Sequence, residues 1–514
     1  MKRVCSLAIL FATMSMTPVA HGQSTPSNPG NSSFEEFRKG LLSDYNTFRK
    51  SVLEDYDRFL EAAWGNYEQM RGKKRYETPK PHEAPSLPAD RPLPDTPVVL
   101  PKPSVSPDVA EEPVPQPEVP RPTPKPTPKP EPTPAPEPAP EPEPVPVPED
   151  DSKDAFTFPF YGMDMKITDK ELKLDRKLSS PRDFASQWRS FVAQEAETLI
   201  PAIRALEETH GLNDYLTFRL MRDYIKARYP RAHTSAQVAL EHYLLCHMGY
   251  DVRLATDDSG LPLLLIPFSQ QVYAQSFLVL GDRKYYVFLP DGAAARQEVM
   301  ISTCKLPSDA DLGRPMDLRI NALYLPEKDK EFNLSFGDIT LRGKVNENLM
   351  NVVYHYPQMA TGDFAESQLS PALRADLVRQ LRQQLAGVER REAVDRLLQF
   401  TQSAFEYATD QDFHGFEKPY FLEEILFYPK CDCEDRSIFY TYMLWNALGV
   451  ENHLLAYPGH ESASVHIDAP INGDCYEWEG KTYYISDPTF IGSKTGMCMP
   501  MFSNVKPEID YIYR

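Results

Sequence analysis

Three residues near the C-terminal end of the chain have the types and the order of a thiol catalyst. They are Cys433 in YPKCDCEDRSIFY, His466 in ESASVHIDAP and Asp487 in YYISDPTF. A cysteine nucleophile needs a base to take its proton, a third group to orient that base and a local field that favours thiolate. Cys433 sits where a loop turns into a helix. The following run, IFYTYMLWNALGV, is apolar on nearly every face, the pattern of a helix buried inside its domain. A thiol at the N-terminus of that helix is expected to have its pKa lowered by the helix dipole. Cys431, two residues earlier in the loop, gains less.

His466 follows small residues on an alternating stretch that reads as a strand, which makes it the candidate base. Asp487 ends the last clear strand, with Pro488 fixing the chain behind it, and is the candidate orienting acid. The backbone N–H of Cys433 supplies one oxyanion donor. Tyr407, Gln411 and Tyr420 are the candidates for a second. Competing chemistries fit less well. Cys431 and Cys433 are spaced C-x-C, which bridges with difficulty and is not the C-x-x-C of redox pairs. His453, His460, His466 and Cys475 lack the spacing of a zinc site, and no EF-hand-like loop is present, so neither a metal nor a cofactor is expected. Cys475 and Cys498 read as isolated thiols, and His414 and His460 as surface residues.

These residues resemble the transglutaminase-like superfamily. The matching pieces are Asp432-Cys433-Glu434-Asp435, then Leu448-Gly449-Val450 ending the buried helix, then His466, then Asp487-Pro488-Thr489; the match covers roughly residues 375–514. The chain departs from the family in two places: Cys431 stands where Gly often precedes the acid–Cys pair, and Ile467-Asp468 follow the His where an aromatic is common. No clear upstream Trp marks the oxyanion site. The resemblance implies a papain-like core, with Cys433 as nucleophile, His466 as general base and then acid, and Asp487 holding the imidazole. It implies attack on a peptide or carboxamide carbonyl through a thioester, with no cofactor. Hydrolysis, as a cysteine peptidase or amidase, is the favoured outcome because water is always at hand. Protein crosslinking by acyl transfer to an amine is the alternative within the class. A peptide-binding or scaffold protein with a relic triad is the alternative outside it.

The elements that must position these groups read as α+β. Residues 357–514 form the expected catalytic domain. Residues 153–356 form a second α+β unit that repeats the same pattern of buried helix, Gly and strands. A shift of 200 residues sets Gly249 on Gly449, His233 opposite Cys433, and Leu289 near the place of Asp487. The first unit is thus expected to be a degenerate copy of the second, lacking its chemistry. EFNLSFGDITLRGKVNENLMNVVYHY, between the two, alternates and carries turn residues, so it reads as β-hairpins.

Ahead of the globular part the chain changes character. Residues 1–22 read as a signal peptide, with Lys2-Arg3, an apolar run too short to span a bilayer, and small residues before Gln23. Cys5 lies too early for a lipidated cysteine, so the expected location is periplasmic or secreted, without a membrane span. Residues 23–77 carry an 11-residue repeat that aligns Phe34, Tyr45, Tyr56 and Tyr67. That period predicts a long helix over 34–71 with one aromatic face, suited to self-association or to a partner protein. Residues 78–152 hold 28 of the chain's 50 prolines and read as a stiff linker. The net charge of −19 argues against a nucleic-acid partner, and a peptide or protein substrate is what the resemblance implies.

Overall fold

A computed structural model describes residues 68–71, 74–78, 80–81, 92–106, 155–174, 176–293, 300–303 and 313–514. The signal peptide and the aromatic-striped helix lie outside the described residues, except for the end of the helix. There, Glu68–Arg71 is a strand, β1, where a helix is expected. Its backbone pairs with Met300–Thr303 at a sheet edge, with Met70 opposite Ile301. Pairing with an open edge outweighs the helical periodicity at this end. Lys74–Arg75 (β2) pairs with the other edge of the same sheet.

The linker also departs from expectation. Val98–Val99 (β3) and Ser104–Val105 (β4) add to the two edges of a second sheet. Val98 and Leu100 donate to the Gly473 and Cys475 carbonyls at 2.8 and 2.7 Å, and Leu100 is buried. The short apolar run VVL supplies backbone donors and a side chain to bury, which the surrounding prolines do not.

The first globular half opens with a hairpin, Ala155–Phe160 (β5) and Met163–Thr168 (β6). Four helices follow: Pro181–Ala193 (α1), Ile200–His210 (α2), Asp214–Arg228 (α3) and Thr234–His247 (α4). Then come Arg253–Asp257 (β7), Pro262–Ile266 (β8), Ser276–Leu280 (β9), Arg283–Phe288 (β10) and Met300–Thr303 (β11). The hairpin Asp329–Phe336 (β12) and Ile339–Asn346 (β13) is bonded over its whole length. It leans on helices of the second half, through Gln380 and Gln384 to the backbone of Arg342 and Thr340.

The second half has helices Glu347–Val353 (α5), Thr361–Glu366 (α6), Pro371–Gln384 (α7) and Arg390–Ala404 (α8). Short pieces follow: Glu406–Tyr407 (β14), Asp410–Phe413 (α9) and Lys430–Cys431 (β15). Next is the central helix Cys433–Leu448 (α10), then Asn452–Tyr457 (β16), His460–His466 (β17), Asp474–Trp478 (β18), Lys481–Ile485 (β19) and Glu508–Tyr513 (β20). The Asp435 carboxylate accepts from the Asp432 N–H at 3.1 Å at the start of α10, and Gly449, at φ 62°, ends it.

The two halves share one topology. The first sheet runs β1-β11-β7-β8-β10-β9-β2, and the second, read from the other side, β4-β20-β16-β17-β19-β18-β3. In each, a buried helix precedes five antiparallel strands in the same order. The registers align the copies residue by residue. Leu254 pairs with Leu264 where Leu454 pairs with Ala463, which sets Leu261 at the place of His460. Val287 pairs with Leu265 where Ile485 pairs with Ser464, which sets Leu289 at the place of Asp487. A continuous apolar core, from Phe158 to Tyr513, runs through both halves.

Candidate functional site

Cys433 is the first residue of α10, 1 % exposed. The helix is buried along most of its length, as its apolar run requires. Arg436, one turn in, is also buried; it donates to the Phe405 carbonyl at 2.7 Å and the Gln402 carbonyl at 3.3 Å, which ties α10 to the end of α8. The Cys433 thiol donates to Glu434 Oε2 at 3.1 Å. Burial first, then the Glu434 and Asp432 carboxyls, push the thiol well above its usual range. This reverses the expected lowering. A helix N-terminus contributes about 1 kcal/mol, less than desolvation and two neighbouring acids together. Burial likewise raises Cys431 to about 12, its thiol pointing at the Glu406 carbonyl. The described cysteines, Cys246, Cys431, Cys433, Cys475 and Cys498, are all free thiols.

Asp487 does not pair with His466. Its Oδ2 lies 2.8 Å from Nε2 of His460. Its Oδ1 accepts the Thr489 and Phe490 N–H groups at 2.8 and 3.1 Å, which fixes the carboxylate. His460 is 5 % exposed, not a surface residue, and its ring stacks on Phe502 at 5.3 Å. His466 ends the same strand, with Nδ1 on the Thr482 carbonyl at 2.9 Å and Nε2 3.5 Å from Asp468. The reason is direction. β17 and β19 are antiparallel, so the residue after the end of β19 meets the start of β17. His466 lies six residues further along, about 20 Å at ~3.3 Å per residue. His460 follows the Pro458-Gly459 turn, and a histidine just after a turn that faces a strand-end Asp was the signal available in the sequence.

Cys433 and His460 border one cleft of about 90 Å³, with Glu434, Glu461 and Asp510 among its walls. No hydrogen bond joins the sulfur to an imidazole among the described residues; Cys433 instead has the Glu461 backbone beside it. Thr78 and Pro81, at the start of the proline-rich segment, also line this cleft. Tyr76 anchors that stretch by stacking on Phe277 at 5.0 Å.

Of the oxyanion candidates, Tyr407 lies near Cys433. Burial, followed by Cys433, Asp432 and Glu434, raises its phenol and keeps it a proton donor. Tyr420 is engaged by His414 and by the Lys430 carbonyl, and Gln411 by Gly415. His414 is half-buried through that contact. His453 is buried, with Nδ1 on the Tyr476 hydroxyl at 2.8 Å. A cavity of about 1030 Å³ opens between β6, α2, β13 and α7, and none of the three catalytic candidates lines it.

Among the described residues, no helix is long and apolar enough to cross a membrane. No protein-family model, no curated protein and no solved structure matches the chain.

Proposed function

We propose that this protein is an exported thiol enzyme of the transglutaminase-like kind, acting on peptide or carboxamide carbonyls, with Cys433 as nucleophile and the His460–Asp487 pair in the base role. One observation carries the reading: a cysteine at the N-terminus of a buried helix and a buried, carboxylate-held histidine border the same cleft. Asp487 occupies Nε2 of His460 and leaves Nδ1 to move the proton. The sulfur adds to the carbonyl carbon as its proton passes to the imidazole. The amine then leaves with that proton and a thioester forms. Water adds in the second half, gives its proton back to the imidazole and releases the acid and the thiol. The Cys433 N–H and the Tyr407 hydroxyl are the groups to stabilise the oxyanion. Crosslinking follows if an amine replaces water. The test is mass spectrometry of a peptide library incubated with the wild type, Cys433→Ala and His460→Ala. Cleavage or amine transfer lost in both variants supports the reading, and products that persist in Cys433→Ala refute it.

A second reading has its own observation. The thiol rests on a carboxylate and makes no bond to an imidazole. That arrangement suits a non-catalytic peptide-binding scaffold, in which the library yields no product from any variant.

A further inference from the structure

The hairpin of β5 and β6 has an open sheet edge along β6, and that strand lines the cavity of about 1030 Å³. The phase of the edge follows from the turn. Tyr161 and Gly162 form a two-residue loop with φ of 47° and 84°, so the flanking Phe160 and Met163 exchange hydrogen bonds. Alternation along the ladder then points the backbone groups of Asp164 and Lys166 away from β5. Pro159, which has no N–H, sits opposite Asp164 in the same outward phase and blunts the β5 edge. On β6 nothing does so. Among the described residues, no group bonds the backbone N–H or C=O of Asp164 or Lys166. The chain covers its edges elsewhere. Strands β1 to β4 finish the two large sheets. On β13, Gln384 accepts the Thr340 N–H at 2.7 Å and donates to its carbonyl at 2.8 Å, and Gln380 does the same for Arg342 at 3.0 and 2.7 Å. Two side-chain amides stand in for a strand there. That cover stops short of Lys344, which lines the same cavity as β6.

We propose that the β6 edge is a binding site for an extended peptide of alternating basic and apolar residues, which adds to the hairpin as a third strand. Main-chain bonds to Asp164 and Lys166 hold the peptide, and its alternate side chains meet the walls of the groove. Ala205, Leu206, Leu325 and Leu373 make those walls apolar. The volume lies at the top of the ~300–1,000 Å³ usual for ligand pockets. Charge selects the basic residues. Glu423, Asp376 and Asp329 are answered by Arg374, Arg379 and Lys344. That leaves exposed Asp164 and Glu327 against Lys166 along the groove, on a chain of net charge −19. Cys433, His460 and Asp487 take no part, so the site stands or falls apart from the catalytic reading.

The test uses the full chain after signal removal, carrying Cys433→Ala so that no peptide is consumed. The probes are fluorescein-labelled hexapeptides in which Lys alternates with Val, Ile, Leu or Tyr. Binding is read by anisotropy, and hydrogen exchange of residues 163–168 by mass spectrometry. The expected result is saturable binding that weakens with salt and slows exchange at 164 and 166. Lys166→Pro removes an N–H that β5 does not use, so it is expected to fold, and it should weaken binding by about tenfold or more. Lys166→Ala keeps the N–H and should bind at least as well as its parent. Peptides N-methylated at every second residue, in either register, test backbone pairing without altering the protein: one register should bind and the other should not. Absence of saturable binding by any probe at millimolar concentration overturns the site. So does equal affinity in Lys166→Pro with an unchanged melt, or equal affinity of both N-methylated registers. Slow exchange at 164 and 166 in the free protein also overturns it, because the edge is then already taken, by the chain's own N-terminal segment or, where protection falls on dilution, by a second copy.

Discussion

Replacing Glu434 by Gln asks directly what holds the Cys433 thiol. The sulfur donates to the Glu434 carboxylate at 3.1 Å, and both residues are buried. Thiolate and carboxylate at that separation repel by about 5 kcal/mol at an effective dielectric near 20, an upper bound. If relaxation of the cleft leaves a third of it, the amide favours thiolate by about 1.7 kcal/mol and lowers the thiol pKa. Burial raises this thiol independently and is unchanged by the substitution, so the pKa falls without reaching that of a free cysteine. With the pKa still above neutral, thiolate at pH 7 rises by about 20-fold, and alkylation follows the thiolate, with some loss of nucleophilicity as the pKa drops. Iodoacetamide labelling, read by peptide mapping of residues 431–436 with Cys433→Ala as the blank, should therefore speed up by about tenfold. His466→Asn, remote from the sulfur, should label as wild type. A Glu434→Gln rate within twofold of wild type refutes the electrostatic argument and leaves burial alone as the restraint on the thiol.

The other expectations concern the base, the scaffold and acid stability. His460→Asn should lower turnover of any cleaved peptide by about 10²–10⁴, whereas His466→Asn should keep most of it; the reverse order restores the sequence-based assignment. Arg374 and Glu423 form a buried pair at 2.7 Å that also holds the Ser370 N–H, so Arg374→Met should cost about 3–5 kcal/mol in urea unfolding, much of it recovered in Arg374→Met/Glu423→Leu. A methyl on Gly362 would stand 2.3 Å from the Asp510 carbonyl, so Gly362→Ala should destabilise by about 1–3 kcal/mol and shift the cleft wall formed by Thr361 and Asp510. Burial lowers His453 from 6.5 to about 3. The unfolded chain then binds the extra proton between those values, so the wild type loses stability as pH falls from 6.5 towards 3. His453→Gln should remove up to about 5 kcal/mol of that loss, seen as a shallower pH dependence of the urea midpoint.

Part of this site could be read from the sequence because its determinants are local. The all-round apolar run after Cys433 announces a buried helix, and its start fixes where the thiol stands. Asp487 is legible as a strand end stopped by Pro488. The histidine that Asp487 holds was misread because alternation shows that a residue lies on a strand, not which end of that strand meets which neighbour. His460 and His466 sit on one strand, and only the antiparallel pairing of β17 with β19 chooses between them. The carboxyl groups beside Cys433 were missed for a similar reason: Asp410 starts α9 and Glu417 follows it, well before Asp432 and Glu434, and nothing in their spacing shows that they converge. The edge strands β1 to β4 were hidden because edge pairing uses backbone groups, which leave little trace in side-chain pattern.

The two copies of the topology help to separate chemistry from scaffold. The first sheet keeps the order of the five strands and the helix ahead of them, and it too takes edge strands from the N-terminal segment, antiparallel where those of the second sheet are parallel. At the register positions of the pair it carries Leu261 and Leu289 in place of His460 and Asp487. Its helix starts at Thr234 behind His233, with no cysteine and no acidic residue in its first turn. His233 instead caps the helix by accepting the Ser235 N–H. Since the fold forms without the histidine, the aspartate, the thiol or the carboxylates, none of these groups is required for the architecture. The first half is not free of costly buried groups: Arg222 and Glu241 form a buried pair, and burial raises the Cys246 thiol to about 12. In the second half a buried histidine–carboxylate contact and a thiol raised by burial border one cleft, and costs gathered in that way are what a site kept for chemistry would show.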